Sequence, residues 1–320
     1  GRYLQYFGWK PKKFTEKGQA IVDESILSKV TNIPEANMIA EYLMVQKRIA
    51  QVQSWLDAVE DDGRVHGYVN SNGAVTGRMT HSSPNVAQVP SSGAPYGADC
   101  RACWTSPKGY KIVGMDASGL ELRMLAHYMN DEGYTNEILT GDIHTANQLA
   151  SGVDTRSQAK TFIYAFLYGA GDAKIGSIVG GTARDGKRLK EKFLSNTPSL
   201  KDLRERVSVA SGRGYVHGLD RRRVAVRSEH SALNTLLQSA GAIVMKKALC
   251  LLDEYASAWK IDYKFIGNIH DEIQTEVRAD EAEVFGRLAV SCVEAAGTYY
   301  NLNCPLAGEY QVGDNWSETH

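Results

Sequence analysis

Residues 110–129 read YKIVGMDASGLELRMLAHYM. Tyr110-Lys-Ile-Val-Gly-Met115 is a mostly apolar run that predicts a buried strand, and it ends on Asp116. A Ser-Gly turn follows, and Leu120 to Met129 reads as a helix. A strand of this kind aims a carboxylate from its end while the apolar run anchors the backbone. Further along the chain, Tyr263 to Val277 predicts two strands with His270-Asp271 near their bend. Residues 142–210 between these units are mostly helical, broken by glycines at 169, 171, 176, 180 and 181. Residues 215–227 alternate as a hairpin around Asp220-Arg221, and Ser231 to Tyr255 predicts a long helix. The order is that of an α+β platform in which helices are inserted between two strand-plus-carboxylate units.

The flanks fit this plan. Residues 1–60 form a basic, aromatic-containing entry and then a helix over Glu35 to Leu56, where apolar residues recur near helical spacing without Pro or Gly. Over 61–106, Gly, Asn, Ser, Thr and Pro punctuate short β-like runs such as Val65 to Val69. A helix from Asp280 to about Ala296 and a short β-like tail close the chain.

A chain of 320 residues with 43% apolar content holds a core large enough for two or three subdomains. The formal net charge is −1, so any surface for polyanions must be local. Three basic clusters are candidates: Lys10, Lys12, Lys13 and Lys17; Arg184, Lys187, Arg188, Lys190 and Lys192; and Arg221 to Arg223. Each also reads as a solvated face. The five cysteines are scattered, which argues against a disulfide framework and for a reducing compartment. Cys100 and Cys103 have CxxC spacing but no second Cys or His pair nearby, which disfavours zinc. No apolar run is expected to span a bilayer, and Gly1 reads as a start inside a longer protein.

Asp116 and Asp271 are the candidate metal ligands, since two aspartates brought together bind hard divalent cations through oxygen. Two such ions serve phosphoryl transfer. The plainer reading makes Asp116 a helix cap and Asp271 a turn residue, and spacing alone does not bring them together. Glu121 and Glu272 read as weaker metal partners or as surface acids. On the next helix, Arg156, Lys160, Tyr164 and Tyr168 recur every four residues and project in broadly one direction. Two cations followed by two aromatics suit a triphosphate at one end and a base or sugar at the other, with His144 as a further phosphate donor. An amphipathic helix with surface cations and packed tyrosines has the same pattern. Asn234 and Gln238 share a helix face, and amides suit the degenerate edges of the minor groove. Arg78, after Gly77, and His230, before the long helix, could join them, or serve as loop and capping residues.

Taken together, the motifs are identifiable. The chain resembles family A DNA polymerases, most closely the replicative polymerases of T-seven-type podoviruses. Asp116 to Arg123 is similar to that family's motif A, RSQAKTFIYAFLYG (156–169) to motif B, and His270-Asp271-Glu272 to motif C. GAVTGRMTHSSPNVAQVP (73–90) and HSALNTLLQSAGA (230–242) are also similar to phage segments. Several motifs in the right order are specific where one alone is weak.

The resemblance implies a right-hand polymerase with an antiparallel palm sheet, helical fingers and a partial helical thumb. The thumb would lie over 1–60, the palm over 61–128 and 235–320, and the fingers over 129–234. It implies two Mg2+ ions held by Asp116, Asp271 and the carbonyl of Ala117, and a dNTP triphosphate held by Arg156, Lys160 and His144. Lys160 would also protonate the pyrophosphate leaving group. Tyr164 would lie by the sugar and favour dideoxynucleotides, Glu121 would crowd a ribose 2′-OH, and Tyr168 would stand beside the templating base. Arg78, Asn234, Gln238 and His230 would contact primer-template DNA. The implied setting is phage replication in the cytoplasm of an infected bacterium, away from any membrane. The insertion that binds thioredoxin in a phage relative would lie upstream of Gly1, so this stretch does not decide whether a thioredoxin-like processivity factor is a partner. A single-subunit RNA polymerase and a non-catalytic DNA-binding accessory subunit are the alternatives. Glu121 argues against the first, and retention of both metal aspartates against the second.

Overall fold

A computed structural model describes residues 2–319, which divide into two compact units. The first comprises the chain up to Tyr68 together with Ser82–Cys100. It holds α1 (Arg2–Tyr6), α2 (Glu24–Leu27) and α3 (Pro34–Leu56). Proline opens α3 at a position where its missing N–H costs no helix bond. Leu4, Trp9, Leu27, Ile33, Ala36 and Ala40 form this unit's core. The β-like run over 65–69 becomes a bridge between Val59 and Val65 and then a short strand, β1 (Tyr68–Asn70), which pairs with β2 (Thr80–Ser82). A short helix, α4 (Gly97–Ala102), follows.

The second unit comprises Val69–His81 and the chain from Arg101 onward. Its sheet is built from β3 (Tyr110–Ala117), β6 (Tyr263–Ile269), β7 (Glu272–Arg278) and β8 (Gly308–Gly313), while β4 (Tyr215–His217) and β5 (Arg223–Ala225) form a separate hairpin. Its longer helices are α5 (Leu120–Met129), α6 (Glu132–Leu139), α7 (Ile143–Ser151), α8 (Arg156–Leu167), α9 (Asp172–Ile178), α10 (Ala183–Asn196), α11 (Pro198–Ser211), α12 (Ala232–Ala258) and α13 (Ala282–Tyr299). The sheet order is β6-β7-β3-β8, antiparallel throughout.

Strand alternation gives this sheet two unlike faces. Val113, Met115 and Ala117 of β3, with Ile273 of β7, belong to the core shared with α12 and α13. Ile112, Gly114 and Asp116 point the other way, where Asp116 is flanked by Glu272 on β7 and Glu309 on β8. The C-terminal segment lies over this second face. A Cβ on Gly114 would fall 2.4 Å from the carbonyl oxygen of Thr319, so only glycine fits there.

The run Glu229–Ala258 is long and apolar enough to cross a bilayer, which corrects the expectation that no such run exists. Its apolarity is used in packing instead: 61% of an apolar 18-residue window within it is buried, and Ala240, Val244, Met245, Ala248 and Leu252 sit in the core. The inserted helices are packed by an aromatic cluster. Phe193 of α10 meets Phe162 and Phe166 of α8 edge-on at 5.2 and 5.3 Å. Capping boxes begin α8 at Thr155 and α10 at Thr182.

Candidate active site

The register of β3 against β7 places Asp116 directly opposite Glu272, and so beside Asp271. His270 takes the left-handed conformation, φ 63°, to make the turn. The N–H of Ala117 then donates to the carbonyl of Asp271 at 3.1 Å. Two aspartates 155 positions apart in sequence are thereby fixed side by side, Asp116 on β3 and Asp271 in the turn that leads into β7. Burial against the sheet pushes the Asp116 carboxyl up to about 7, helped by the negative charges of Asp271, Glu272 and Glu309.

Among the described residues, no group of three or more His, Cys, Asp or Glu side chains is arranged to hold a metal ion. Two carboxylates and a neighbouring carbonyl nevertheless fit Mg2+, which binds through one or two carboxylates and completes its shell with water and substrate phosphates.

Glu272 is not a surface acid. It is 4% exposed. Its Oε1 accepts from the Trp316 indole N–H at 2.6 Å and the Gln274 amide at 2.5 Å, and Arg101 stands 3.9 Å away. Arg101 in turn lies 4.5 Å over the Trp316 ring. No local pattern announces this arrangement, because Trp316 and Arg101 reach Glu272 only through the tertiary fold.

The row on α8 divides into two ends. At the start, Arg156 forms a bidentate pair with Asp142, at 2.6 and 3.1 Å, and this pairing holds the Asp142 carboxyl well below the usual carboxylate range. His144 follows two residues after Asp142, with its Nδ1 buried and without a hydrogen-bond partner. Burial, then the charges of Arg156 and Lys160, lower its pKa. The Lys160 side chain is exposed and forms no ion pair among the described residues. Tyr164 sits in the middle, its ring 6.4 Å from that of His144. Burial raises its pKa, and the charges of Glu121 and Asp271 add to the rise.

At the far end Tyr168 caps α8 and donates its hydroxyl to Glu121 at 2.8 Å. Arg78 Nη2 lies 3.7 Å from the other Glu121 oxygen. The structure thus brings Arg78, Glu121 and Tyr168 together. Burial raises the Glu121 pKa against the lowering effect of Tyr168 and Arg78.

Asn234 and Gln238 lie half-buried on α12, and His230 is exposed in the turn Glu229–Ser231 ahead of it. That turn abuts the end of α8: a Cβ on Gly169 would meet the His230 carbonyl at 2.4 Å. Arg78, Lys246, Asn268 and His270 line one small cleft between the loop, α12 and β6. The basic clusters fare differently. On α10, Lys187 pairs with Glu191, Arg188 with Asp185 and Lys190 with Asp172. In the Arg221–Arg223 group, Arg223 lies over Tyr215 and Arg222 is directed inward.

Comparison with known proteins shows the chain's family and fold. Residues 3–318 match the sequence profile of DNA polymerase family A, and the chain belongs to that family. It is 45% identical to the DNA-directed DNA polymerase of Enterobacteria phage T3 over 99% of this chain and 51% of that protein. The polymerase of Escherichia phage T7 gives the same figures, 45%, 99% and 51%. The chain therefore spans about half the length of these relatives. Its fold is that of a polymerase domain. The POL domain of Pol1 from M. smegmatis, solved in complex with DNA primer-template and dNTP, superposes with a TM-score of 0.83. The match covers 97% of this chain and 58% of that one at 23% identity.

Proposed function

We propose that the chain is the polymerising part of a phage-type DNA-directed DNA polymerase. The observation that carries this reading is the fixing of Asp116 beside Asp271 by the Ala117 N–H, with Asp116 on the sheet face turned away from the α12 and α13 core. In this reading residues 1–60 contribute to a thumb, 61–128 and 235–320 to a palm and 129–234 to fingers. The primer 3′-oxygen attacks the α-phosphorus of a dNTP, the bond from that phosphorus to the bridging oxygen breaks, and pyrophosphate leaves. Asp116, Asp271 and the Ala117 carbonyl would hold two Mg2+ ions, which when bound activate the hydroxyl and stabilise the leaving oxygen.

The other roles belong to side chains. Arg156, Lys160 and His144 bind the triphosphate. The orphaned Nδ1 of His144 supports this, since a buried ring nitrogen wants a partner. Arg156 would exchange Asp142 for phosphate. Lys160 gives a proton to the departing pyrophosphate. Glu121, held by Tyr168, stands where a ribose 2′-OH would come, so the site selects deoxynucleotides. Tyr164 lies by the sugar and Tyr168 by the templating base. Arg78, Asn234, Gln238 and His230 contact primer-template DNA. The same family relation supports action in the cytoplasm of an infected bacterium.

Asp271→Ala is expected to cut single-nucleotide incorporation by about 10³-fold or more, since each metal supplies several kcal/mol to the transition state. Primer-template affinity, measured by fluorescence anisotropy, should stay within a few-fold of the parent. Unchanged incorporation would defeat the assignment.

A further inference from the structure

We propose that Arg222 is a positioning residue that locks Arg78 in place against the Asn234–Gln238 face of α12, so that the three read the shape of the primer-terminal base pair as one unit. The inference rests on the polymerase reading above and assigns a task to a residue outside it. In sequence, Arg222 belongs to a run of three arginines that suggests a phosphate-binding surface. Its guanidinium does something else. The two protons of Nη2 go to the Thr76 carbonyl at 2.6 Å and to the Ser239 hydroxyl at 2.9 Å. Asp220 stands 3.5 Å from Nε and steadies the head from behind.

Both ends of this pin matter. Thr76 lies two residues before Arg78, in a turn closed by Gly77 N–H to Ala74 at 2.8 Å and Ala74 N–H to Arg78 at 3.2 Å. Ser239 is fully buried on α12 and follows Gln238 directly. One nitrogen therefore ties the backbone that carries Arg78 to the helix that carries Asn234 and Gln238.

The fit at Gly77 supports the same conclusion. Its φ is +83°, and a Cβ there would sit 2.4 Å from Arg222 Nη2. The turn leaves a slot that the guanidinium fills. Arg78 itself has few internal restraints: the Glu121 carboxylate is 3.7 Å away, longer than a hydrogen bond. Without the pin, the Arg78 backbone would be free to shift relative to α12 by more than minor-groove readout tolerates.

The test compares the parent with Arg222→Ala, Arg78→Ala, the double variant, and Ser239→Ala, which removes only the helix end of the pin. Three quantities are read: the ratio of extension from matched and mismatched primer termini, the ratio of equilibrium affinities for the same two duplexes, and amide exchange over residues 74–78. Arg222→Ala should lower the matched-to-mismatched ratio about tenfold, the order expected when a hydrogen bond to a charged group is lost. Ser239→Ala should move it in the same direction by less. The double variant should be no worse than Arg78→Ala, because both changes remove one function. Exchange should quicken over 74–78 and not in β3 or β7. An additive double variant, or a parental ratio in Arg222→Ala with its fold intact, would overturn the proposal. The affinity and exchange measurements need no turnover. Absence of extension in the parent would count against the polymerase reading and leave those two to judge Arg222.

Discussion

Glu121 shows how much one carboxylate can be asked to do. Its Oε2 takes the Tyr168 hydroxyl at 2.8 Å, and its other oxygen faces Arg78, so it joins the loop, α5 and the end of α8. Glu121→Ala is expected to open the space that a 2′-OH would need. The preference for dNTP over rNTP, measured as a ratio of kcat/KM values, should fall by about 10²-fold, the order at which a pocket rejects an added hydroxyl. An unchanged ratio would remove Glu121 from sugar selection. A second residue governs stability. His127 on α5 is half-buried, and its Nδ1 accepts the Asn303 N–H at 3.2 Å, so it folds neutral and desolvation lowers its pKa. The unfolded chain, with the ordinary value of about 6.5, binds the proton more readily. The stabilising contribution of neutral His127 is therefore complete above about pH 6.5 and is lost as the pH falls toward the depressed folded value. His127→Gln should flatten the acid side of the stability–pH profile measured by urea unfolding. A profile as steep as the parent's would place that dependence elsewhere.

At the scale of elements, α9 and α10 approach so closely that side chains are excluded from the contact. A Cβ on Gly186 would lie 1.9 Å from the Asp172 carbonyl, a backbone atom that cannot step aside. Gly186→Ala should cost about 1–3 kcal/mol, read as a lowered Tm. A neutral result would mean that the two helices separate without penalty. The elements themselves were largely legible. The apolar run from Tyr110 predicted a strand ending at Asp116, and the strand is Tyr110–Ala117. The helix read over Ser231 to Tyr255 is Ala232–Ala258, and the bend at His270-Asp271 does separate β6 from β7. Local patterns carry this information because burial repeats with the period of the element. Contacts between elements were less legible. Nothing near Glu272 announces Trp316, nothing near Arg156 announces Asp142, and the inward turn of Arg222 is hidden within a run of like charges. The α12 run also misled, since its apolarity was underrated in sequence and is explained only by the core around it.

For the whole molecule, a net charge of −1 says little about a polyanion partner, because the charge is sorted by position. Negative groups gather around Asp116, while Arg78 and Lys246 line the neighbouring cleft and Arg156 and Lys160 stand along α8. A divalent cation would reconcile the negative centre with a negative substrate. The most direct test is primer extension by the purified chain, with saturating primer-template DNA, Mg2+ and one nucleotide at a time. The chain is expected to add the dNTP complementary to the template, to make little use of the matching rNTP, and to lose both activities on chelation by EDTA. Incorporation that ignores the template base, prefers rNTP or survives chelation would contradict the polymerase reading.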